Sequence, residues 1–260
     1  MTKGFDLTGK IALVTGAGRG IGKEIARSLA AAGADLFLLA RDMNRLEKTA
    51  DEIRGESGGI VRAHRIDVMD EASVEAAAEF VKKTTGRLDI LVNNAALGRG
   101  ETPLEYTSLE EWNTTMGTNV TGTFLCMKHF GRILIAQKSG SVINLGSMGG
   151  SSCLKNCCTG AYDVSKAAVE CLTRCMAGEW GKYNIRVNSI CPGYTLTEIN
   201  EDFLADPKNA GFLEKSLDHI PLRRWAKPAE MGDIAVFLAS DASSYVTGAN
   251  IVADGGSRIY

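Results

Sequence analysis

Ile11-Ala12-Leu13-Val14-Thr15-Gly16-Ala17-Gly18-Arg19-Gly20-Ile21-Gly22 decides the fold. Its first four residues form a short apolar run with β-branched side chains at both ends, as a buried strand requires. Beyond the glycines, Ile25, Ala26, Leu29 and Ala30 recur at helical spacing until Gly33 stops the helix. A strand, a glycine-rich turn and a helix thus follow one another. Small residues in such a turn let backbone approach a phosphate, and the helix N-terminus attracts its negative charge.

Glycine spacing narrows the nucleotide. A mononucleotide loop needs Gly-Lys followed by Ser or Thr, whereas Gly22-Lys23 is followed by Glu24. The G-x-G-x-x-G fingerprint also fails, because Ile21 and Lys23 stand where its third glycine belongs. The pattern present is T-G-x-x-x-G-x-G. A second strand, Leu36 to Ala40, runs into Arg41. At that strand end an acid binds the ribose 2′-hydroxyl of NAD, and an arginine suits the 2′-phosphate of NADP. Ala40 and Arg41 occupy the position, and Arg19 adds a second cation from the glycine turn. The expected cofactor is NADP. Asp35 lies at the wrong end of its strand, and Asp42 reads as a helix N-cap.

Outward from there the alternation continues. Strands are expected over 60–66, 88–92, 141–145 and 185–190, with a last one near Asn250. Helices are expected over 71–84, 109–137, 160–183 and 228–239. The pattern predicts an α/β chain, one Rossmann-type doubly wound domain over residues 1–260. In such sheets ligands bind outside the carboxyl ends of the strands. Gly16, Asn93, Ser147 and Pro192-Gly193 stand at those ends and should share one cleft. Glu198 to Lys227 reads as an irregular, polar and charged stretch, and residues 194–227 are long enough to be a substrate lid.

Composition sets the outer limits. A chain of 260 residues, 45% of them hydrophobic, fills one large domain core without staples. A net charge of −2, with scattered basic residues, leaves no footprint for nucleic acid. No apolar run reaches the ~18 residues of a membrane span, and Met1–Lys10 lacks the apolar core of a secretory signal. A cytoplasmic location is the expectation. Seven cysteines, an odd number, read as reduced thiols, mostly small and buried. Cys153, Cys157 and Cys158 have a faint metal spacing with no histidine close in sequence, so no metal site is expected.

Tyr162-Asp163-Val164-Ser165-Lys166 carries the chemistry. Tyrosine and lysine four apart lie on one helix face. A phenol loses its proton near ~10, and bringing it to ~7 needs about 4 kcal/mol of differential stabilisation. A neighbouring ammonium supplies part of that. Asn119, an asparagine inside a helix, also invites a reason.

Together these segments resemble the short-chain dehydrogenase/reductase family over about Leu7 to Gly256. The resemblance rests on T-G-x-x-x-G-x-G, Asn93-Asn94-Ala95, Asn119, Ser147, Y-x-x-x-K, P-G-x-x-x-T from Pro192 to Thr197, and Asp254-Gly255-Gly256. It implies a seven-stranded parallel sheet with helices on both faces, assembled as a homotetramer through the 109–137 and 160–183 helices. It implies Tyr162 as proton donor and acceptor at the substrate oxygen. Lys166 would lower the tyrosine pKa and hold the nicotinamide ribose, Ser147 would bond the substrate oxygen, and Asn119 would hold a water relaying protons to Lys166. Cofactor contacts are implied for Gly16, Gly18, Arg19, Gly20, Ile21, Gly22, Arg41, Asp67, Val68, Asn94, Ala95, Tyr162, Lys166, Pro192, Gly193, Thr195 and Thr197. Ala96 stands where the family usually has glycine. Ser147 precedes Tyr162 by 15 residues, a couple more than is usual, which makes Ser151 and Ser152 rivals for the serine role.

Within the family, Glu179-Trp180, Pro192-Gly193-Tyr194, Thr197-Glu198-Ile199 and Ser243 to Gly248 look most like polyol and sugar-ketone enzymes. The expected activity is hydride transfer between NADP(H) and a ketone or secondary alcohol of a sugar, sugar acid or polyol. A 3-oxoacyl-thioester reductase is the rival enzyme, although only Arg99 and scattered lysines offer a docking charge. A non-catalytic NADP(H)-sensing regulator would often lack the tyrosine or lysine. An epimerase or dehydratase of nucleotide sugars would need a larger C-terminal substrate domain.

Overall fold

The computed structural model describes residues 3–98, 102–152, 159–209 and 211–259. Seven strands form one sheet: β1 (Ile11–Thr15), β2 (Asp35–Ala40), β3 (Val61–Arg65), β4 (Ile90–Asn93), β5 (Gly140–Leu145), β6 (Ile185–Pro192) and β7 (Asn250–Ala253). Their order is β3-β2-β1-β4-β5-β6-β7, and every pairing is parallel. The strand order reverses between β1 and β4, which opens a crevice at their carboxyl ends. Asp35 begins β2 and pairs with Ile11, and its carboxylate accepts from Ile60 N at 3.3 Å, far from that crevice.

Successive strand residues point to opposite faces, so each strand feeds two cores. In β1, Ala12 and Val14 join one core with Leu7, Ile25, Leu29, Leu46, Ile53 and Leu238. Leu13 joins the other, with Val74, Val81, Phe130, Leu134 and Trp180. The helices supplying the first core are α1 (Gly20–Ala31), α2 (Met43–Ser57) and, late in the chain, α9 (Pro228–Ala239). Those supplying the second are α3 (Glu71–Thr85), α5 (Gly122–Gln137) and α6 (Gly160–Trp180). Caps set several of these ends. Asp42 accepts from Arg45 N at 3.1 Å, Asp70 accepts from Ala72 N at 3.1 Å, and Gly58 and Gly86 close α2 and α3 in the left-handed conformation.

Two expectations are refined. The 109–137 helix is not uniform: α4 (Leu109–Met116) continues into α5 through a π-helical turn, Gly117–Thr121, which contains Asn119. Residues 194–227 are not irregular either. They contain α7 (Glu198–Ala205), a 3₁₀ turn (Pro207–Asn209) and α8 (Phe212–Leu217). An isolated parallel bridge between Thr195 and Ala226 ties the two ends of this segment together. Helices this short show no full amphipathic period, so pattern alone does not reveal them.

Among the described residues, no helix is long and apolar enough to cross a membrane, and no cluster of His, Cys, Asp or Glu could hold a metal. Cys126 and Cys191 are buried free thiols, while Cys171 and Cys175 are exposed on α6, against the expectation of burial. Burial in apolar surroundings pushes Cys126 up to about 12. Cys153, Cys157, Cys158 and Arg99 lie outside the described residues.

Candidate active site

The crevice is a cleft of about 730 Å³ running across the carboxyl ends of the strands. Its floor is backbone. Gly16 has φ +66°, a conformation that L side chains rarely adopt, and a Cβ there would lie 2.9 Å from Ala95 Cα. A Cβ at Gly22 would overlap Asn94 Nδ2 and stand 2.5 Å from Gly16 O. The turn is therefore packed on Asn94, whose amide donates to Thr15 O at 2.9 Å and Gly16 O at 3.1 Å. Thr15 Oγ1 accepts from Asn94 N at 3.0 Å and Ala95 N at 3.1 Å. Beneath them Asn93 Nδ2 donates to Asn144 Oδ1 at 2.8 Å, locking β4 to β5. The Asn93-Asn94 pair thus explains itself: one amide ties two strands and the other ties a strand end to the glycine turn.

At one end of the cleft, Gly18, Arg19, Arg41, Asp42 and Arg45 line the wall beside Ala40, with Asp67 and Val68 opposite. Asp67 Oδ1 accepts from Met69 N at 3.0 Å, shaping the loop after β3. Arg45, absent from the sequence reading, joins because the first turn of α2 starts at Asp42 and faces the glycine turn; a Cβ at Gly18 would lie 3.5 Å from Arg45 Cγ. Three guanidiniums against two aspartates, Asp42 and Asp67, leave this end net cationic, matched to a phosphate.

Toward the other end stand Ser147, Tyr162, Lys166, Pro192, Gly193, Thr195 and Thr197, all lining the same cleft. Ser147 is buried at the end of β5, and its Oγ accepts from Gly149 N at 3.1 Å. Lys166 is 4% exposed; its Nζ donates to Leu145 O at 2.8 Å and lies 5.6 Å from the Tyr162 ring centroid. Burial pulls this ammonium down to about 8, with Cys191 and Glu170 pulling the other way. The rival serines face elsewhere: Ser152 Oγ donates to Met148 O at 2.7 Å, and Ser151 Oγ is bonded by Arg258.

Two residues expected in the cleft do not line it: Asn93, which is buried beneath the floor against Asn144, and Asn119. Asn119 Oδ1 accepts from Leu97 N at 2.8 Å, and its Nδ2 donates to Ser165 Oγ at 2.9 Å and Leu97 O at 3.3 Å. The side chain braces the loop after β4 against α6. The neighbouring Thr118 reaches the cleft in its place.

The 194–227 segment closes this end with aromatic rings. Tyr194 stacks on Trp225 at 5.1 Å and 18°, and Phe212 meets Trp225 edge-on at 6.3 Å. Trp225 Nε1 donates to Ser216 Oγ at 2.7 Å, which fixes the buried indole against α8. Asn200 Nδ2 donates to Thr195 O at 2.6 Å, and Asn200, Asn209, Phe212 and Trp225 all line the cleft.

Residues 16–258 match the profile of a family described as enoyl-(acyl carrier protein) reductase. Galactitol 2-dehydrogenase (L-tagatose-forming) of Cereibacter sphaeroides is 41% identical over 256 residues, covering 98% of each chain. A short-chain type dehydrogenase/reductase from Mycobacterium marinum superposes with a TM-score of 0.91 at 38% identity, covering 98% of both chains. The chain belongs to the short-chain dehydrogenase/reductase family. A gluconate 5-dehydrogenase from Burkholderia cenocepacia J2315, solved in complex with NADP and tartrate, superposes with a TM-score of 0.91 at 34% identity over 99% of this chain and 98% of that one. As a short-chain dehydrogenase/reductase, the protein is an oxidoreductase acting on alcohol and carbonyl groups, and its polyol-enzyme likeness extends over nearly the whole chain.

Proposed function

We propose that this protein transfers hydride between NADP(H) and the ketone or secondary alcohol of a polyol, sugar or sugar acid. The observation carrying the reading is that one cleft holds a three-arginine end, Arg19, Arg41 and Arg45, and a Ser147–Tyr162–Lys166 end. The arginines suit a 2′-phosphate, and the last residue of β2 is Ala40 followed by Arg41 rather than an acid that would prefer a 2′-hydroxyl. The glycine turn, with no room for a side chain at Gly22, suits a pyrophosphate against α1. When bound, the dinucleotide supplies the hydride, and the chain supplies position and field.

The chain's own steps follow from its chemistry. Ser147 and Tyr162 hydrogen-bond the substrate oxygen, where negative charge grows during reduction. Tyr162 gives that oxygen its proton, and takes it back during oxidation. Lys166 holds positive charge beside the phenol and favours the phenolate. Asn119 acts one layer out, bracing α6 through Ser165 on the proton path from Lys166 to solvent. Thr195 and Thr197 orient the nicotinamide end, and residues 194–227 form the substrate lid. Outside the cleft, Leu109, Phe124 and Val164 on α4, α5 and α6 are exposed apolar side chains, which supports pairing of these helices in a homotetramer.

A screen of ketohexoses, polyols and acetoacetyl thioesters with NADPH and NADH tests the reading. Turnover of a ketose or polyol with the phosphorylated cofactor is expected. Preference for the thioester would move the protein to the 3-oxoacyl reductases. Tyr162→Phe should lower turnover by about 10²–10⁴-fold. An unchanged rate would end the catalytic assignment.

A further inference from the structure

One buried acid has no part in the reading above. Glu170 is 3% exposed, four residues after Lys166 on α6 and so on the same helix face. A solvent-facing glutamate would be unremarked in a helix, but a buried one needs partners. Cys191 Sγ donates to Glu170 Oε1 at 3.4 Å, and Asn250 Nδ2 approaches Oε2 at 3.4 Å. Asn250 is in turn fixed by Ser189 Oγ, which donates to Asn250 Oδ1 at 2.7 Å.

The carboxylate also fills space made for it. A Cβ at Gly146 would stand 3.2 Å from Glu170 Oε1 and 2.7 Å from Cys191 Sγ. At Gly150 a Cβ would overlap Glu170 Oε1 and lie 2.9 Å from its Cδ. These two glycines bracket Ser147 on either side. Thus the carboxylate packs against the two glycines that flank the serine turn, and it shares a helix face with Lys166.

We infer that Glu170 is a positioning residue which holds Lys166 in its charged form and seats the Ser147 turn, so that it sets the pH range of catalysis. This rests on the catalytic reading of Tyr162 and Lys166. Burial works against the Lys166 ammonium, and two neighbours oppose burial, Cys191 and Glu170. Cys191 is itself pushed up to about 12 by burial, so near neutrality it is an uncharged thiol. That leaves Glu170 as the neighbour that opposes burial at Lys166. The other groups around the ammonium are Tyr162 on α6, Ser147 and the Leu145 carbonyl at the end of β5, and the Arg258–Asp254 pair beyond Cys191. Asp163, a heptad before Glu170, faces the same turn at Gly149.

Removing one negative charge lowers the pKa of every acid near it. In alcohol oxidation the acid limb of the rate profile reports loss of the Tyr162 proton, and the alkaline limb reports loss of charge on Lys166. Glu170→Gln should therefore slide both limbs of kcat/KM toward acid by about one pH unit. Glu170→Asp, which keeps the charge, should hold the limbs in place whatever it does to the height. A merely structural role would lower the curve without sliding it, and that result would overturn the inference.

A readout on the free protein separates this from the catalytic reading. Competitive labelling of Lys166 with an amine reagent across pH needs no turnover. The parent is expected to show a transition at or above about 8, and Glu170→Gln one about a unit lower. Should Glu170→Gln not fold, a parent transition well below 8 would by itself overturn the inference, because burial would then be unopposed. A rate unaffected by Tyr162→Phe alongside a shifted Lys166 transition would sink the catalytic reading and spare the electrostatic one.

Discussion

The two ends of the cleft are built differently. The cationic end comes from residues 16–45 and 67–68, two stretches close in the chain and presented by backbone, glycine and exposed arginine. The reaction end draws on Ser147, Tyr162, Lys166, Tyr194, Phe212 and Trp225, brought together from segments tens of residues apart and largely buried. One end recognises by exposed charge, which water and salt weaken. The other works by charge held out of water, where each interaction is stronger and its loss is felt more. Effects of mutation should accordingly be large and pH-dependent at the reaction end, modest and salt-dependent at the cationic end.

Lys166→Met probes the contrast hardest. Turnover should fall by about 10²–10⁴-fold, since the phenol loses its nearest positive charge. Stability should move the other way. In the fold Lys166 lies near 8 against an ordinary 10.5, so between those values the unfolded chain holds a proton that the folded chain lacks. Stability contributed by this group therefore rises with pH across that window. Below about 8 the fold carries the full penalty of the buried ammonium, of the order of 3 kcal/mol. The Leu145 carbonyl, left without its donor, returns about 1 kcal/mol of that. At pH 7 the variant is expected to melt above the parent, with the gap closing toward pH 10.5. A variant that melted lower at pH 7 would show the ammonium to be a net stabiliser, and the contrast between the two ends would weaken.

How much of this was legible beforehand follows the same division. The β1 turn, the strand ends and the Ser147, Tyr162 and Lys166 positions are readable because they depend on short spacings and on the rule that strand carboxyl ends converge. Burial is not readable in that way. Glu170 looks like any polar residue of a helix, and only the packing of Gly146, Gly150 and Cys191 around it shows that it is interior. Asn119 stands out in the sequence as an asparagine inside a helix, but its π-helical turn and its bonds to Leu97 and Ser165 depend on contacts 22 and 46 residues away. Arg45 is not legible because its place depends on the pitch of α2, one turn past a strand end. The helices of 194–227 are not legible because they are stabilised by the aromatic cluster rather than by their own pattern.

At the cationic end, Arg41→Ala and Arg45→Ala should each raise the KM for NADPH about tenfold or more, as expected for a charge-assisted hydrogen bond of about 1.5–3 kcal/mol. The KM for NADH should hardly move, so the ratio of the two is the measurement. Equal losses with both cofactors would mean that these arginines do not read the 2′-phosphate. Any preference for NADP would then have to come from Arg19.

Asp42→Ala is the finest cut, because its two consequences have opposite signs. Asp42 caps α2 through Arg45 N and lies 3.9 Å from Arg45 Nε, with both side chains about half exposed. Loss of the cap should lower stability by about 1 kcal/mol. Loss of the carboxylate removes the acid standing among three arginines, so NADPH should bind a few times more tightly, by about 0.5–1 kcal/mol for an exposed charge. That gain should fade as salt rises from 0.01 to about 0.15 M, where the screening length shrinks from ~30 to ~8 Å. The stability loss, being a hydrogen bond, should not fade. If affinity for NADPH fell with the cap, Asp42 would be acting by aiming Arg45 rather than by repelling phosphate. The cationic end would then depend on the same kind of positioning that governs the buried one.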